Sequence, residues 1–162
     1  MVTQDRLKDM LLYDKDTGVF TWRIQRGQMK IGSVAGSAGD RGYIRIRIDG
    51  TRYLAHRLAW LYSTGSFPDN YMDHIDRDPS NNRLCNLRPA TAKQNQGNRK
   101  LNSNNKSGFK GVSWCKRKLK WAVFINLSGR NTRLGCYADK NEAAQAYRNA
   151  AIEEHGEYAL NV

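Results

Sequence analysis

Apolar residues recur every three to four positions in three segments, and this period predicts helices. A short helix is expected within 3–14. A second is expected within 54–65, where leucines repeat at helical spacing and Gly65 ends the run. A third helix opens at Asp139, whose side chain can cap it, and ends at Gly156. The alanine-rich face of this last helix can pack closely against a sheet.

Strict alternation of apolar and polar residues predicts strands elsewhere in the chain. The alternating stretch before Asp49-Gly50 places three isoleucines on one face and Arg45 and Arg47 on the other. These two arginines fit either a solvated sheet face or a contact with phosphate. The Asp-Gly pair predicts a hairpin turn after the strand. The segment 32–42 is rich in Gly and Ser, carries no phosphate-loop motif and is expected to be a loop.

A polar segment separates the chain into two parts. Residues 96–107 include one apolar side chain in twelve and are rich in Asn, Ser, Lys and Arg, so this segment cannot bury enough surface to fold alone. Three alternating stretches follow it and predict three strands before the last helix. We therefore expect an α+β fold with a module at 1–98, a basic linker at 99–107, and a module at 108–162 in which an antiparallel sheet packs on one helix.

The charge distribution points to an anionic partner. The chain of 162 residues has 27 Lys and Arg against 15 Asp and Glu, a formal net charge of +12. Seven basic and no acidic residues lie within 109–138, and five acidic residues follow within 139–157. Positive charge on the predicted strands and negative charge on the neighbouring helix are typical of a module that binds an anion with its sheet and exposes its helix to solvent.

Composition also excludes several classes of protein. No run of residues reaches the roughly 18 consecutive apolar residues of a membrane-spanning helix, and no signal-peptide pattern opens the chain. Its three cysteines lack a Cys-x-x-Cys spacing, which argues against both a disulfide framework and a zinc site. We expect a soluble, cytoplasmic protein without membrane partners and without zinc.

The stretch 71–99 is densest in residues that carry chemistry. Asp73 and His74 stand at the end of an apolar segment. A loop rich in Asp and Asn follows, and Asn86 then begins the tripeptide Asn-Leu-Arg. A capping box then starts a helix that carries Asn95 in its first turns. The order strand, long loop, strand, helix brings oxygen and nitrogen side chains in from both ends of the stretch.

This pattern resembles the HNH nucleases, and in particular their phage-type branch, which includes homing endonucleases. The resemblance spans residues 10–100 and implies the ββα-metal fold. It also implies that Asn86 is a structural residue that bridges the loop and fixes the His74 ring. At the position of His56 the family often has a histidine, for which we assign only a helix-entry or phosphate contact.

Phosphodiester hydrolysis explains why these residue types fit together. One divalent cation, Mg²⁺ or else Mn²⁺, can take oxygen ligands from Asp73 and Asn95 while keeping several waters. It then acts as a Lewis acid and stabilises the leaving group. His74 has an ordinary pKa of ~6.5, so it can be neutral at pH 7 and take a proton from water.

The last 56 residues resemble the APETALA/ethylene-response-factor DNA-binding domain, in which a sheet lies in the major groove of DNA. Alternation places Trp121, Val123 and Ile125 toward the helix and Ala122 on the outer face. Ser113 stands where plant domains have a base-reading arginine, so the plant target sequence does not carry over and phosphate contacts are expected to dominate. The DNA-binding residues predicted in the whole chain are Arg45, Arg47, Arg99, Lys100, Ser113, Lys116, Arg117, Lys118, Phe124, Asn126, Arg130 and Arg133.

Together these features predict a metal-dependent endonuclease of a phage or mobile element that acts on double-stranded DNA as a monomer or homodimer. Each active site is expected to nick one strand. The alternative from another class is a non-catalytic, sequence-specific DNA-binding regulator that keeps the ββα fold as a platform. An RNA-binding module is supported by charge alone, because the aromatic motifs of an RNA-recognition sheet are absent.

Overall fold

A computed structural model describes residues 1–98, 101–127 and 129–159, which form two compact units, Met1–Ala92 and Lys93–Val162. In chain order the elements are α1 (Gln4–Met10), β1 (Leu11–Tyr13), β2 (Phe20–Trp22), β3 (Ser37–Ala38), β4 (Ile44–Ile48), β5 (Thr51–Leu54), α2 (Ala55–Thr64), β6 (Tyr71–His74), β7 (Leu87–Ala90), α3 (Ala92–Gly97), β8 (Val112–Cys115), β9 (Lys120–Leu127), β10 (Arg130–Tyr137) and α4 (Lys140–His155). Short 3₁₀ turns lie at Asp40–Gly42, Leu84–Asn86 and Gly156–Ala159.

The boundary between the units lies earlier than the sequence indicates. The predicted division falls after residue 98, whereas the second unit begins at Lys93 and includes most of α3. Contacts inside that unit explain the difference, because Lys93 pairs with Glu154 at 2.6 Å and Gly97 packs against His155. Part of the expected linker is also ordered: Ser107 is buried and hydrogen-bonded to the neighbouring backbone.

In the first unit, the two predicted helices pack on a small sheet. Leu7 of α1 and Leu58 of α2 are fully buried, and their core includes the isoleucines 46 and 48 of β4. The sheet has the antiparallel order β3-β4-β5. The predicted turn joins β4 to β5, with positive φ at Asp49 and at Gly50. The expectation of a loop throughout 32–42 was wrong in part, because β3 extends the sheet there by pairing with β4.

Two hairpins form the region around the predicted catalytic residues Asp73 and His74. Strands β1 and β2 form the first, and β6 and β7 form the second, both antiparallel. The second hairpin is connected by a long loop, residues 75–86, which ends in a 3₁₀ turn. Helix α3 begins at Ala92, directly after Thr91, where the sequence predicts a helix start.

In the second unit, three strands in the order β10-β9-β8 pack on α4. Val123 and Ile125 are buried toward the helix, as the alternation predicts. Asp139 caps α4 by accepting hydrogen bonds from the backbone N–H groups of Asn141 and Glu142. Ala122, which alternation places on the outer face, is only 4% exposed; it lies on the central strand between Ser113 of β8 and Cys136 of β10.

Among the residues described here, no helix combines the length and the apolar character needed to cross a membrane.

Candidate active site and nucleic-acid interface

The Asp73-His74 pair lies at the buried end of β6. Asp73 is 4% exposed and His74 is 5% exposed, although both are polar. In the register of the hairpin Asp73 faces Arg88 and His74 faces Leu87. Buried polar groups of this kind need partners, since an unpaired charge in the interior is costly.

Arg88 is the charge partner of Asp73. Its Nε and Nη2 atoms each lie 2.9 Å from Oδ2 of the carboxylate. Both side chains are largely shielded from solvent, so the guanidinium compensates a carboxylate that water does not reach freely. The pair fixes the orientation of Asp73 at the end of the strand.

Asn86 holds together the loop between β6 and β7. Its amide oxygen accepts a hydrogen bond from the Asp76 backbone N–H at 3.0 Å. Its amide nitrogen donates to the Asp76 carboxylate at 3.0 Å and to the Asn81 carbonyl at 2.9 Å. Burial opposes ionisation of Asp76, but hydrogen bonds from the Asp78 backbone and from the Asn81 and Asn86 side chains outweigh it and lower the pKa. Asn86 therefore links Asp76 to Asn81 within the loop, and its role in fixing the His74 ring stays a prediction from the sequence.

The first hairpin supports the same loop from the other side. The Tyr13 hydroxyl donates to the Asn82 carbonyl at 2.7 Å, and burial raises the pKa of this phenol. Gly18 packs so closely that an added Cβ would lie 2.5 Å from the Arg83 backbone nitrogen. Its φ of +75° also suits glycine. The hairpin of β1 and β2 therefore packs directly against the loop between β6 and β7.

Three rings meet at the active-site end of β6. His56, from the first turn of α2, contacts His74 edge to face, with ring centroids 5.0 Å apart at 87°. Tyr43 lies 5.5 Å from the His56 ring and 5.9 Å from the His74 ring. His56 is buried, and its Nδ1 has no hydrogen-bond partner within the described part of the chain.

Burial keeps both imidazoles neutral. Desolvation, with smaller contributions from His74 and Arg57, lowers the pKa of His56 to about 3. Desolvation also lowers the pKa of His74, against smaller opposing contributions from Asn82 and from nearby carboxylates. A neutral imidazole can accept a proton, which is what a general base requires.

The predicted DNA-binding arginines of the first unit lie on β4. Arg45 is half-buried and pairs with Asp40 at 3.0 Å. Arg47 is exposed and donates from Nε to the Gly50 carbonyl. Together with Arg26 and Arg52 they line one groove of about 630 Å³. The groove therefore concentrates four guanidinium groups, two of which the sequence interpretation did not select.

In the second unit, the predicted contacts share the sheet surface and its first hairpin. Phe124 is half-buried, and the Arg133 guanidinium lies over its ring at 5.9 Å. The other predicted contacts that the structure describes are all exposed: Ser113, Lys116, Arg117, Lys118, Asn126 and Arg130. Arg99 and Lys100 lie outside the described residues.

Comparison with known proteins identifies the type of domain around Asp73 and His74. The family model for HNH endonucleases matches residues 53–96. Protein 3.8 of Escherichia phage T7 is 35% identical over 105 residues, which cover 64% of this chain and 86% of that protein. An uncharacterized HNH endonuclease, L560 of Acanthamoeba polyphaga mimivirus, is 36% identical over 123 residues, 75% of this chain and 63% of that protein.

The chain carries an HNH endonuclease domain.

Among solved structures, the HNH homing endonuclease I-HmuI, reported for DNA binding and cleavage, matches with a TM-score of 0.44. Its sequence is 22% identical, and the alignment covers 91% of this chain and 78% of that one.

HNH endonucleases use a divalent metal cation, and the donors of this chain suit a hard one. The Asp73 carboxylate stands beside a neutral imidazole, and oxygen donors are the ligands that Mg²⁺ and Mn²⁺ prefer. No group of three or more His, Cys, Asp or Glu side chains arranged to hold a metal lies in the described ranges. Asn95 belongs to α3 in the second unit, and its role as a ligand stays a prediction from sequence.

Several residues that shape the site of this HNH endonuclease escaped the sequence interpretation. Arg88 could have been found, because the alternation of β6 and β7 places it opposite Asp73. Asn82 and Asp76 stand in an Asn- and Asp-rich loop whose internal hydrogen bonds no spacing rule predicts. The packing of Tyr43 on the histidines arises from tertiary structure alone.

Proposed function

We propose that this HNH endonuclease hydrolyses phosphodiester bonds of double-stranded DNA in a reaction that depends on a divalent cation. The observation that carries the proposal is the buried Asp73-His74 pair at the end of β6, with a neutral imidazole and a carboxylate oriented by Arg88. The excess of 12 positive charges supports a polyanionic substrate.

His74 acts as the general base in this proposal. The neutral ring takes a proton from the water that attacks phosphorus, and the bond to the departing 3′ oxygen breaks as that oxygen takes up a proton. A divalent cation held by Asp73, Mg²⁺ or else Mn²⁺, would supply Lewis acidity at the scissile phosphate and stabilise the leaving oxygen, and Asn95 as a further ligand stays the prediction from sequence. Each active site cleaves one strand.

The residues around the pair have positioning roles. Arg88 orients the Asp73 carboxylate through two contacts of 2.9 Å. Asn86 and Tyr13 keep the loop between β6 and β7 in one conformation through hydrogen bonds of 2.7–3.0 Å. Fixed donors and acceptors of this kind lower the cost of reaching the transition state.

The second unit binds the duplex in this proposal, as an APETALA/ethylene-response-factor-like module. On its sheet, the Arg133 guanidinium lies over the Phe124 ring. Its first hairpin carries Lys116, Arg117 and Lys118. Positive charges on a sheet with an acidic helix behind it suit the phosphate backbone. The groove of four arginines in the first unit provides further phosphate contacts.

The biological setting follows from the same proposal. We infer an enzyme of a phage or mobile element that works in the cytoplasm of the host cell, as a monomer or homodimer. With one active site per chain it nicks duplex DNA, and a double-strand cut requires a second chain or a second event.

A plasmid-nicking assay tests the proposal. Purified protein should convert supercoiled DNA to the relaxed form with Mg²⁺ or Mn²⁺ and lose this activity in excess chelator. His74→Ala and Asp73→Asn should each reduce the rate by at least about 100-fold, the lower range for removal of a general base. Asp69→Asn is the matched control, since Asp69 is exposed shortly before β6.

Two results would contradict the proposal. A parent protein that binds duplex DNA but never nicks it, with either metal, would indicate the non-catalytic regulator instead. Equal rates for His74→Ala and the parent would remove His74 from the role of base.

A further inference from the structure

The second unit contains a cleft whose residues have no role in the proposed cleavage reaction. It has a volume of about 500 Å³ and lies between the Asn-rich segment 102–107 and strand β8 with its hairpin. Strand β8 is at the edge of its sheet, because the order is β10-β9-β8. Binding sites for small organic groups have volumes of roughly 300–1,000 Å³.

The wall formed by the Asn-rich segment is preformed. Asn105 accepts a hydrogen bond from the Gly108 backbone N–H at 2.8 Å and donates to the Phe109 carbonyl at 2.8 Å. The Ser107 hydroxyl is buried and lies within hydrogen-bond distance of two acceptors, the Phe109 carbonyl at 2.9 Å and the Asn105 side-chain oxygen at 3.0 Å. The Asn105 backbone N–H closes a turn on the Asn102 carbonyl at 2.9 Å. A wall held by these bonds loses little entropy when a ligand binds.

The opposite wall presents an indole. Trp114 is 47% exposed, which is unusual for so large an aromatic side chain. Its ring packs on Trp121 edge to face, with centroids 5.1 Å apart at 67°. Trp121 is in turn covered by the Lys140 ammonium, 5.6 Å from its ring. The fold therefore holds Trp114 from one side and leaves much of it open to the cleft and solvent.

Amide and ammonium side chains line much of the rest of the cleft. The side chains of Asn102 and Asn104 are exposed and offer both amide donors and acceptors. Lys106 and Lys116 add two positive charges, and no carboxylate is among the described residues that line the cleft. A planar aromatic surface, amide groups and cations match, respectively, the face, the edge and the phosphates of a nucleotide.

We propose that this cleft binds a single unpaired nucleobase together with its flanking phosphates. Trp114 stacks on the base, Asn102 and Asn104 hydrogen-bond to its edge, and the two lysines contact the phosphates. The inference goes beyond cleavage and rests only on the DNA-binding part of the proposed function. The base comes either from a duplex that extrudes it or from a single strand.

Binding measured without metal tests the inference while cleavage is blocked. Four DNA probes of equal length are compared: a paired duplex, the same duplex with one bulged adenine, the same with an abasic bulge, and the single strand. The abasic bulge retains the phosphates and lacks only the base. We expect the adenine bulge to bind at least about fivefold more tightly than the abasic bulge, the lower range for one base stacked on an aromatic ring.

Variants assign this preference to the cleft. Trp114→Ala should abolish the difference between the adenine and abasic bulges, and Trp114→Phe should keep part of it. Leu119→Ala is the matched control, since Leu119 is 72% exposed on the adjoining hairpin and does not line the cleft. Asn104→Ala, on an exposed side chain, gives a second test that does not depend on the contact between the two indoles. It should reduce the preference as well.

The outcome separates this inference from the proposed nuclease. Equal binding of the adenine and abasic bulges by the parent protein overturns the base site, even if nicking is intact. An unchanged preference in both Trp114→Ala and Asn104→Ala overturns it too. If Trp114→Ala weakens binding of the single strand as well as of the bulged duplex, the cleft can take its base from single-stranded DNA. If Trp114→Ala weakens binding of the bulged duplex alone, the cleft takes a base that is extruded from paired DNA.

Discussion

At the scale of single residues, the Asp73 carboxylate is buried against the Arg88 guanidinium. Arg88 contacts it twice at 2.9 Å, and both side chains are shielded. Arg88→Met should lower the free energy of unfolding by about 3–5 kcal/mol, because it removes the positive charge that pairs with a buried carboxylate. Chemical denaturation followed by circular dichroism measures this loss.

A double variant separates charge from packing at this position. Arg88→Met combined with Asp73→Asn should recover much of the stability, because the orphan charge is gone. Arg83→Met is the control, since Arg83 is exposed in the neighbouring loop. A loss below about 1 kcal/mol in the single variant, the value of a surface ion pair, would show that Asp73 is well solvated without Arg88.

His56 links folding to pH. Its pKa is lowered to about 3 in the folded protein, so the unfolded chain takes up the proton first, near pH ~6.5. Stability from this group is fully present above pH ~6.5 and is lost as pH falls toward 3. The facing groups are His74, Tyr43 and Arg57, and of these His74 also has a lowered pKa.

The comparison of parent and His56→Phe isolates that contribution. Between pH 7 and pH 5 the parent should lose about 2 kcal/mol more than the variant, at 1.36 kcal/mol per pH unit below the unfolded pKa. Denaturant titrations at several pH values measure both slopes. Parallel curves would mean that the His56 ring is protonated at the same pH in the folded and unfolded states.

At the scale of elements, the loop between β6 and β7 depends on its contact with the hairpin of β1 and β2. Gly18→Ala would place a methyl group 2.5 Å from the backbone of Asn82 and Arg83, at a φ of +75°. We expect a lower melting temperature and faster proteolysis within residues 75–86. Gly27→Ala is the control, because Gly27 has a similar φ of +58° but no atom within 4 Å of the added Cβ. Equal effects would show that backbone strain alone matters.

The elements also show what sequence patterns can and cannot provide. Alternation correctly predicted that Ile46 and Ile48 are buried, and cap residues placed α4 between Asp139 and Gly156. Both signals are local, since they depend on a strand's two faces or on one helix end. The contact of His56 with His74 joins a helix to a strand 18 positions away and depends on tertiary packing. The burial of Ala122 likewise depends on neighbouring strands rather than on its own alternation.

At the scale of the whole molecule, the surplus of 12 positive charges predicts that the affinity for DNA falls as the salt concentration rises. If the hairpin between β8 and β9 contacts phosphates, each lost contact should lower the slope of log affinity against log salt by about 0.9. Arg117→Ala should lower it by about one contact, and the triple change of Lys116, Arg117 and Lys118 to alanine by about 2.7. All three side chains are exposed, so folding should be unaffected.

A charge-matched variant distinguishes position from total charge. Arg148→Ala removes the same single charge from α4, on the acidic side of the unit. Fluorescence anisotropy with a duplex, from 50 to 300 mM salt, should give Arg148→Ala the parent's slope and Arg117→Ala a smaller one. If both variants reduce affinity alike and neither changes the slope, the molecule attracts DNA by its overall charge, and the hairpin makes no direct contact with the backbone.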